Sequence, residues 1–156
     1  MDIQGERVLK APRHIVWESL FDTGVLQQSV PGCESVVRES DTVYRIVTVL
    51  AIGPLKARFA GTLAIAEAQG PGGCTLLFQG QGGAAGMAKG TAVVRLQEAG
   101  DDTLLTYTAE AQISGKLAQV GSRLIETVAR KLSGVFFENF ETAVVPSLGQ
   151  GEVRLA

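Results

Sequence analysis

The sequence predicts an α+β protein in which an antiparallel sheet curls around one long helix in the last third of the chain. The first observation is that helix, because Lys116 to Val144 contain no proline and only Gly121 and Gly134 interrupt strong helix formers. The second is an alternation of apolar and polar residues in the preceding segments, and the third is the even spacing of the turn signals between them. Hairpins of this kind leave one apolar sheet face, and only the final helix is long enough to fill it.

The N-terminal part of the chain predicts one strand followed by two short helices. Residues 2–11 carry little helical signal and precede a proline, which suits a strand. Pro12 stands at a favourable first position of a short helix. Residues 25–28 fit another turn of helix, which the Val-Pro-Gly sequence at 30–32 ends.

Period-two alternation predicts about six strands after these helices. Residues 103–114 are the clearest case, since Leu105, Tyr107 and Ala109 alternate with threonine and glutamate. In residues 33–52, valine and isoleucine fall on both phases, so the inward face of that segment stays open. Further alternating segments lie at residues 57–65 and 91–97. Turn signals separate the strands at residues 39–41, 53–54, 69–73, 82–90 and 99–102.

The predicted long helix is apolar over roughly half of its circumference, beyond the ~100° stripe of an ordinary surface helix. At 100° per residue, Leu124, Val128 and Leu132 share one face, and Phe136 and Phe140 widen it. Such a helix must be covered on more than one flank. The cover could be other side chains, a second chain or a ligand.

The polar side of this helix carries Lys116, Arg123 and Arg130 at intervals of seven residues. A solvated face is the default interpretation, and an acidic protein partner or anionic lipid head groups are the alternatives. Phe137 projects onto the same side, where the N-terminal helices cover it or a partner does. We assign Lys116, Arg123, Arg130 and Phe137 as candidate partner-binding residues.

Length, charge and cysteine usage exclude several classes of protein. The 156 residues fit one domain, which we place at 1–146 with a short tail at 147–156. A net charge of −2 argues against nucleic-acid binding. No signal peptide and no apolar run of membrane-spanning length are evident. Cys33 and Cys74 lack metal-ligand spacing, so we expect reduced thiols, a cytoplasmic location and no metal site.

Few residues suit catalysis. His14 is the only histidine, and its charged neighbours at a helix start predict a solvated surface position. Cys33 has no basic neighbour that would lower the pKa of its thiol. We therefore predict a protein that is not an enzyme, and keep as an alternative a small hydrolase or cyclase that uses His14 or Cys33.

The glycine-rich residues 80–86 superficially match a dinucleotide-binding fingerprint. That fingerprint has to open a helix within a βαβ unit, whereas residues 87–90 lead into another strand. A bulged hairpin and a flexible flap over a cavity mouth, with Met87 as an adaptable apolar contact, are the two interpretations.

Several stretches resemble the CoxG-like family, named for the CoxG subunit of carbon monoxide dehydrogenase, within the START-like helix-grip (SRPBCC) superfamily. They are Ala11 to Trp17, Val30 to Glu34, Ile52 to Lys56 and Gly115 to Ile125, with Phe136-Phe137 later in the helix. The resemblance implies a seven-stranded antiparallel sheet that grips the C-terminal helix around a cavity. It also implies an accessory role beside molybdenum-containing hydroxylases of the CO dehydrogenase type, through maturation, membrane recruitment or carriage of a quinone.

We therefore predict a non-catalytic carrier of an apolar small molecule, for which the resemblance implies a quinone or a lipid, without another cofactor. Its expected partners are this cargo, molybdenum hydroxylase subunits and, transiently, the inner membrane surface. A maturation or recruitment factor without a physiological ligand is the alternative. The Tyr107 hydroxyl is expected to bond a ligand carbonyl. The predicted lining residues are Phe59, Phe78, Tyr107, Leu124, Val128 and Phe136, with Leu26 and Met87 near the mouth.

Overall fold

The chain folds into one curved sheet with helices on its concave side. The computed structural model describes the backbone of residues 1–155 and the side chains of residues 1–145. The elements, in chain order, are β1 (Asp2–Leu9), α1 (Arg13–Leu20), α2 (Thr23–Ser29), β2 (Cys33–Arg38), β3 (Val43–Ile52), β4 (Leu55–Ala68), β5 (Gly73–Gln81), a 3-10 turn (Gly83–Ala85), β6 (Met87–Ala99), β7 (Asp102–Ser114), α3 (Lys116–Gln119) and α4 (Ser122–Leu155).

The seven strands form a single antiparallel sheet in the order β1-β7-β6-β5-β4-β3-β2. Strands β2 to β7 follow one another as hairpins, and the last of them, β7, also pairs with β1. The predicted α+β class, the curved seven-stranded sheet and the two short helices after the first strand are confirmed. Hairpins join these neighbours because the predicted turn residues, such as Gly53-Pro54, separate them by only a few positions.

Strand alternation separates a concave apolar face from a convex polar face. The register places Ile46 of β3 beside Gly61 of β4, Gly61 beside Gly80 of β5, and Gly80 beside Ala88 of β6. These four positions form a row across the concave face, and three of them carry little or no side chain. The row leaves space above the sheet.

One part of the helix prediction is wrong, because Lys116 to Val144 do not form one continuous helix. The four-residue helix α3 ends before Gly121, whose φ of +95° belongs to the left-handed region. A left-handed residue ends a helix and redirects the chain, and glycine adopts this conformation without a Cβ clash. Helix α4 then starts at Ser122. The side chains of residues 146–156, including the predicted tail at 147–156, lie outside the described residues.

The main apolar core joins β1, β6 and β7 to α1 and α4. Its buried residues are Leu9, Ala11, Val16, Leu96, Leu105, Phe137, Phe140 and Val144.

Phe137 is thus a core residue, contrary to its assignment as a partner contact. Helix α2 lies against α4, and the Asn139 side-chain amide donates to the Ser29 carbonyl over 3.3 Å. The β1–β7 edge of the sheet covers the flank of α4 that appears polar on a helical wheel, since Glu141 on that flank pairs with Arg7 of β1. The Phe137 ring faces Tyr107, with 6.0 Å between the ring centroids.

Three polar contacts fasten the helical segments to the sheet. The buried Tyr44 hydroxyl donates to the Phe21 carbonyl over 2.8 Å, and Thr103 Oγ1 donates to the Ala11 carbonyl over 2.7 Å. Arg7 of β1 forms an ion pair with Glu141 of α4 at 3.1 Å. Within the described part of the chain, no helix combines the length and apolarity that spanning a bilayer requires.

Candidate ligand-binding site

The concave face holds a cavity of about 290 Å³ beside the β3–β4 hairpin, which we call the hairpin cavity. Leu117 of α3 lies on its helical side, and Phe59 and Phe78 contribute the aromatic part of its wall. Its other lining residues come from β3 to β6 and are Ile46, Thr48, Leu50, Ile52, Gly61, Thr62, Leu63, Gln79, Gly80 and Ala88.

Small residues of the sheet create this space. A Cβ built at Gly80 has no atom within 4 Å, so the strand passes beneath open volume at that point. Phe59 packs over the backbone of Gly82, where a Cβ would lie 2.5 Å from the ring, and this contact fixes the Phe59 ring at the cavity edge. The cavity therefore exists because glycines occupy sheet positions that usually carry larger side chains beneath a helix.

A second cavity, of about 370 Å³, lies between the sheet and the two helices α2 and α4, and we call it the helix cavity. It is rich in aromatic side chains, since Phe21, Tyr107, Phe136 and Phe137 all line it. Phe136 and Phe137 pack edge to face with 5.2 Å between their centroids. The remaining lining residues are Leu20, Leu26, Val30, Ile46, Leu63, Cys74, Leu76, Ala92, Val94, Leu105, Leu132 and Ser133.

The two cavities adjoin at Ile46 and Leu63, which line both of them. The concave face thus offers an elongated apolar groove that runs from the β3–β4 hairpin to the α2–α4 pair.

The groove is uncharged along its described lining. Polar side-chain atoms come from a few residues, of which Thr48 lies in the hairpin cavity and Ser133 and Tyr107 in the helix cavity. The Ser133 hydroxyl donates to the Ala129 carbonyl over 2.9 Å, and its oxygen remains able to accept a further bond. Burial raises the pKa of the Cys74 thiol, so this residue lines the cavity as a neutral, weakly polar group.

Five of the eight predicted lining residues reach the groove. Phe59 and Phe78 line the hairpin cavity, and Leu26, Tyr107 and Phe136 line the helix cavity. The Tyr107 ring contributes to the wall, while its hydroxyl lies over Gly5 at the β1 edge. A ligand carbonyl would therefore have to reach that edge to accept a bond from Tyr107.

Leu124, Val128 and Met87 line neither cavity. Leu124 is 37 % exposed, because the break at Gly121 redirects the chain before α4 begins. Met87 lies on the convex face, since the adjacent Ala88 lines the hairpin cavity and strand side chains alternate between faces.

Several groove residues escaped prediction. Ile46, Thr48 and Leu50 of β3 alternate toward the groove, but apolar residues on both phases of β3 conceal which set faces inward. Leu76 lies two residues before the predicted Phe78 and shares its face of β5, so strand alternation from Phe78 points to it. The Phe21 wall position depends on the Tyr44 tether, which no local pattern signals.

The candidate catalytic residues lie away from the groove. His14 is exposed on α1, and Cys33 is half-buried at the start of β2. Neither lines either cavity. Burial raises the pKa of the Cys33 thiol, which disfavours the nucleophilic thiolate at neutral pH.

The glycine-rich segment forms a closed hairpin turn. The Gly82 amide donates to the Gly86 carbonyl over 2.8 Å. Gly86 and Gly115 face each other so closely that a Cβ on Gly115 would lie 2.7 Å from the Gly86 Cα. This packing against the start of α3 favours the hairpin interpretation over the flap.

The predicted basic residues are all exposed, as Lys116 begins α3 and Arg123 and Arg130 lie on α4. Arg130 forms an ion pair with Glu126 at 2.9 Å, which is the typical arrangement of a solvated helix face.

Solved structures share this architecture. A conserved protein from Geobacillus kaustophilus is 27 % identical, with a TM-score of 0.88 over 94 % of this chain and 97 % of that chain. An aromatase/cyclase from Streptomyces sp. R1128 is 12 % identical, with a TM-score of 0.65 over 95 % of each chain. A protein from Nitrosomonas europaea is 17 % identical, with a TM-score of 0.68 over 94 % of this chain and 96 % of that chain. The last two comparisons concern the fold alone.

No curated protein matches the chain significantly. The family model for CoxG, described as a subunit of carbon monoxide dehydrogenase, matches residues 5–145, which include every element from α1 to α3 and both cavities. The chain therefore belongs to the carbon monoxide dehydrogenase CoxG family.

Proposed function

We propose that the protein is a non-catalytic accessory protein that carries an elongated apolar molecule, a prenylated quinone or a lipid, in the concave groove. The observation that carries the proposal is the pair of adjoining cavities, which are apolar and uncharged along their described lining. Ligand sites typically measure ~300–1,000 Å³ and combine an apolar wall with a few polar groups. The two volumes together fall within that range.

The composition of the two cavities supports a ligand with a ring at one end and a chain at the other. The aromatic side chains of Phe21, Tyr107, Phe136 and Phe137 concentrate in the helix cavity. Aromatic rings pack well against planar groups in offset or edge-to-face geometry. The hairpin cavity is mainly aliphatic and has the smaller volume, which suits a prenyl or acyl chain.

Family membership supports the proposed partner, a molybdenum-containing hydroxylase of the CO dehydrogenase type. Within such a partnership, a bound quinone would take up electrons that the enzyme releases. The placement of His14 and Cys33 outside the groove supports a carrier rather than a hydrolase or cyclase.

A cavity-filling variant tests the proposal. Gly80→Leu places an isobutyl group in the hairpin cavity at a position where a Cβ meets no atom within 4 Å. Ala60→Leu is the matched control, because Ala60 is exposed and stands next to the groove residue Gly61 on the opposite face of β4. Binding of a fluorescent long-chain quinone analogue should weaken at least tenfold in Gly80→Leu and stay unchanged in Ala60→Leu. Equal affinity of both variants would contradict the proposal.

The natural ligand is identified by native mass spectrometry, with organic extraction, of protein purified from its own host. An isoprenoid quinone or lipid at near one-to-one occupancy is the expected result. An empty protein that also fails to bind added quinone would favour a maturation or recruitment role without a ligand.

A further inference from the structure

The two outer edges of the sheet differ in how they are covered. Along β2, helix α2 lies against the strand, and the Gln27 side-chain amide donates to the Glu34 carbonyl over 3.2 Å. Strand β1 is eight residues long and stands at the other end of the strand order. An open edge is a template for pairing with another chain, and native proteins usually block it.

The β1–β7 register shows which backbone groups of β1 face outward. Met1 and Ala111 exchange two hydrogen bonds, of 2.8 Å and 2.9 Å. Since such pairs alternate along an antiparallel ladder, the odd-numbered residues of β1 bond to β7, and the amides and carbonyls of the even-numbered residues point away from the sheet. No group among residues 1–145 bonds to these outward amides and carbonyls. They belong to Asp2, Gln4, Glu6 and Val8, whose side chains are exposed as well.

A polar cavity of about 590 Å³ adjoins the beginning of this edge, and we call it the edge groove. Asp2 and Gln4 line it from β1, and Glu110 lines it from β7. Asp2 and Glu110 are register partners, and neither carboxylate forms an ion pair with a group among residues 1–145. Like charges on neighbouring strands repel each other, so a cation bound in the edge groove would stabilise this pair.

The negative charge extends along the strand. Glu6 lies on the same face of β1 as Asp2 and also forms no ion pair within the described side chains. Arg130 of α4 is the one cation in the described lining of the edge groove, and Glu126 pairs with it at 2.9 Å. The β1 edge thus combines unbonded main-chain groups with carboxylates that lack a partner of opposite charge.

We propose that the β1 edge binds an extended basic segment of another protein as an additional strand. In complexes of this kind the main-chain hydrogen bonds provide affinity, and alternate side chains provide specificity. Asp2 and Glu6 lie on one face of the strand, about 14 Å apart along it. The expected segment therefore carries lysine or arginine at two positions that are separated by the same interval.

The charges of β1 disfavour a second copy of this chain as the occupant. Two β1 strands that pair antiparallel about Gly5 would bring Asp2 and Glu6 of both copies onto one face. Like charges on neighbouring strands are destabilising. The edge is therefore guarded against self-association and complementary to a strand of opposite charge.

A fluorescent peptide tests the proposal. The probe is an acetylated heptapeptide of threonine and valine with lysine at its second and sixth positions. We expect fluorescence anisotropy to show saturable binding of this peptide to the wild-type protein, and no binding of the same peptide with glutamate in place of lysine. Binding should weaken as the salt is raised to about 0.5 M, because screening acts on exposed charges. Absence of saturable binding, or equal binding of the glutamate peptide, would overturn the proposal.

Proline in the edge separates strand addition from a general attraction between charges. Gln4→Pro removes an outward amide and leaves the bonds between β1 and β7 in place, since proline is tolerated on the solvent side of an edge strand. Gln4→Ala is the matched control, because it shortens the same side chain and keeps the amide. The lysine peptide should bind about tenfold more weakly to Gln4→Pro than to Gln4→Ala. Equal affinities of the two folded variants would rule out strand addition.

A charge variant keeps the test decisive if Gln4→Pro fails to fold. Asp2→Asn/Glu6→Gln should weaken binding of the lysine peptide about fivefold. Glu18→Gln/Glu67→Gln is the control, because it removes the same charge from exposed positions on α1 and β4. A similar loss of affinity in both double variants would contradict docking at the β1 edge.

Amide hydrogen exchange locates the bound segment. In the free protein the outward amides of Gln4 and Glu6 should exchange faster than those of Gly5 and Arg7, which bond to β7. The bound peptide should protect Gln4 and Glu6, and unchanged exchange at these amides in the complex would contradict strand addition. A dimer in light scattering that Gln4→Pro dissociates would overturn the proposal and assign the edge to a second copy. These measurements involve no quinone, so their outcome is independent of the carrier function.

Discussion

The hydroxyl of Tyr107 lies directly over the backbone of Gly5, so closely that a Cβ built at Gly5 would be 2.6 Å from the hydroxyl oxygen. The two residues are register partners in the β1–β7 pair. The missing side chain at Gly5 allows the Tyr107 ring to extend across the edge strand, where it packs against Phe137 and lines the helix cavity.

Replacing Gly5 by alanine should therefore destabilise the protein. Gly5→Ala has to displace the Tyr107 ring from its position beside Phe137, and overpacking of this kind costs ~1–3 kcal/mol. Urea denaturation followed by circular dichroism measures the free energy of unfolding.

Gly80→Ala is the matched control, because a Cβ at Gly80 meets no atom within 4 Å and the residue has no positive φ. Alanine restricts the unfolded chain, so this variant should be stabilised by ~0.4–1 kcal/mol. If Gly80→Ala were destabilised as much as Gly5→Ala, the difference in available space between the two glycines would be contradicted.

Tyr44→Phe should lower the free energy of unfolding by ~0.5–1.5 kcal/mol, because it removes the hydrogen bond from the buried Tyr44 side chain to the half-buried Phe21 carbonyl. Since Phe21 lines the helix cavity, the affinity for a ring-containing ligand should fall as well. Tyr107→Phe is the control, since within residues 1–145 the Tyr107 hydroxyl makes no hydrogen bond. A similar loss of stability in the two variants would rule out the tether as the cause.

The raised pKa values of the two cysteine thiols predict a loss of folding stability at alkaline pH. Burial raises the pKa of Cys74 and Cys33 above the ordinary value of 9.0. The folded state therefore favours the neutral thiol. The resulting stability is fully present below the unfolded pKa and is lost as the pH rises through the higher folded pKa.

Comparison of the wild-type protein with Cys74→Ala isolates this effect from other titrating groups. The difference in unfolding free energy between the two proteins should shrink between about pH 7 and about pH 10, where the unfolded thiol ionises.

Iodoacetamide should label the half-buried Cys33 before the buried Cys74. Rapid labelling of Cys74 in the folded protein at neutral pH would contradict its assigned burial.

The fold was predictable because two signals were local. Alternation in residues 103–114 identified the inward face of β7 correctly, and the turn residues separated the hairpins. Residues 33–52 lacked such a signal, since β3 carries apolar residues on both faces. The neighbours across the sheet, rather than the strand's own sequence, determine that Ile46 and Thr48 face the groove.

The residues of the candidate site were less predictable, because the sequence pattern indicates one continuous helix where the chain forms two. The left-handed Gly121 interrupts that helix, so a single helical wheel cannot relate Leu117 to Leu124. Phe137 shows the second cause. Its burial depends on packing against the sheet and α1, which is a tertiary relationship that no periodicity within α4 contains.

The strand order also constrains how the chain folds. Strands β2 to β7 can assemble hairpin by hairpin as they are synthesised, whereas β1 pairs only with β7. The bond between Thr103 and Ala11 joins residues that are 92 positions apart, and closing so long a loop costs entropy before any contact compensates. The first strand of this sheet to be synthesised is therefore among the last to pair. Until then its sequence stays available to chaperones and, at high concentration, to the β7 strand of another copy.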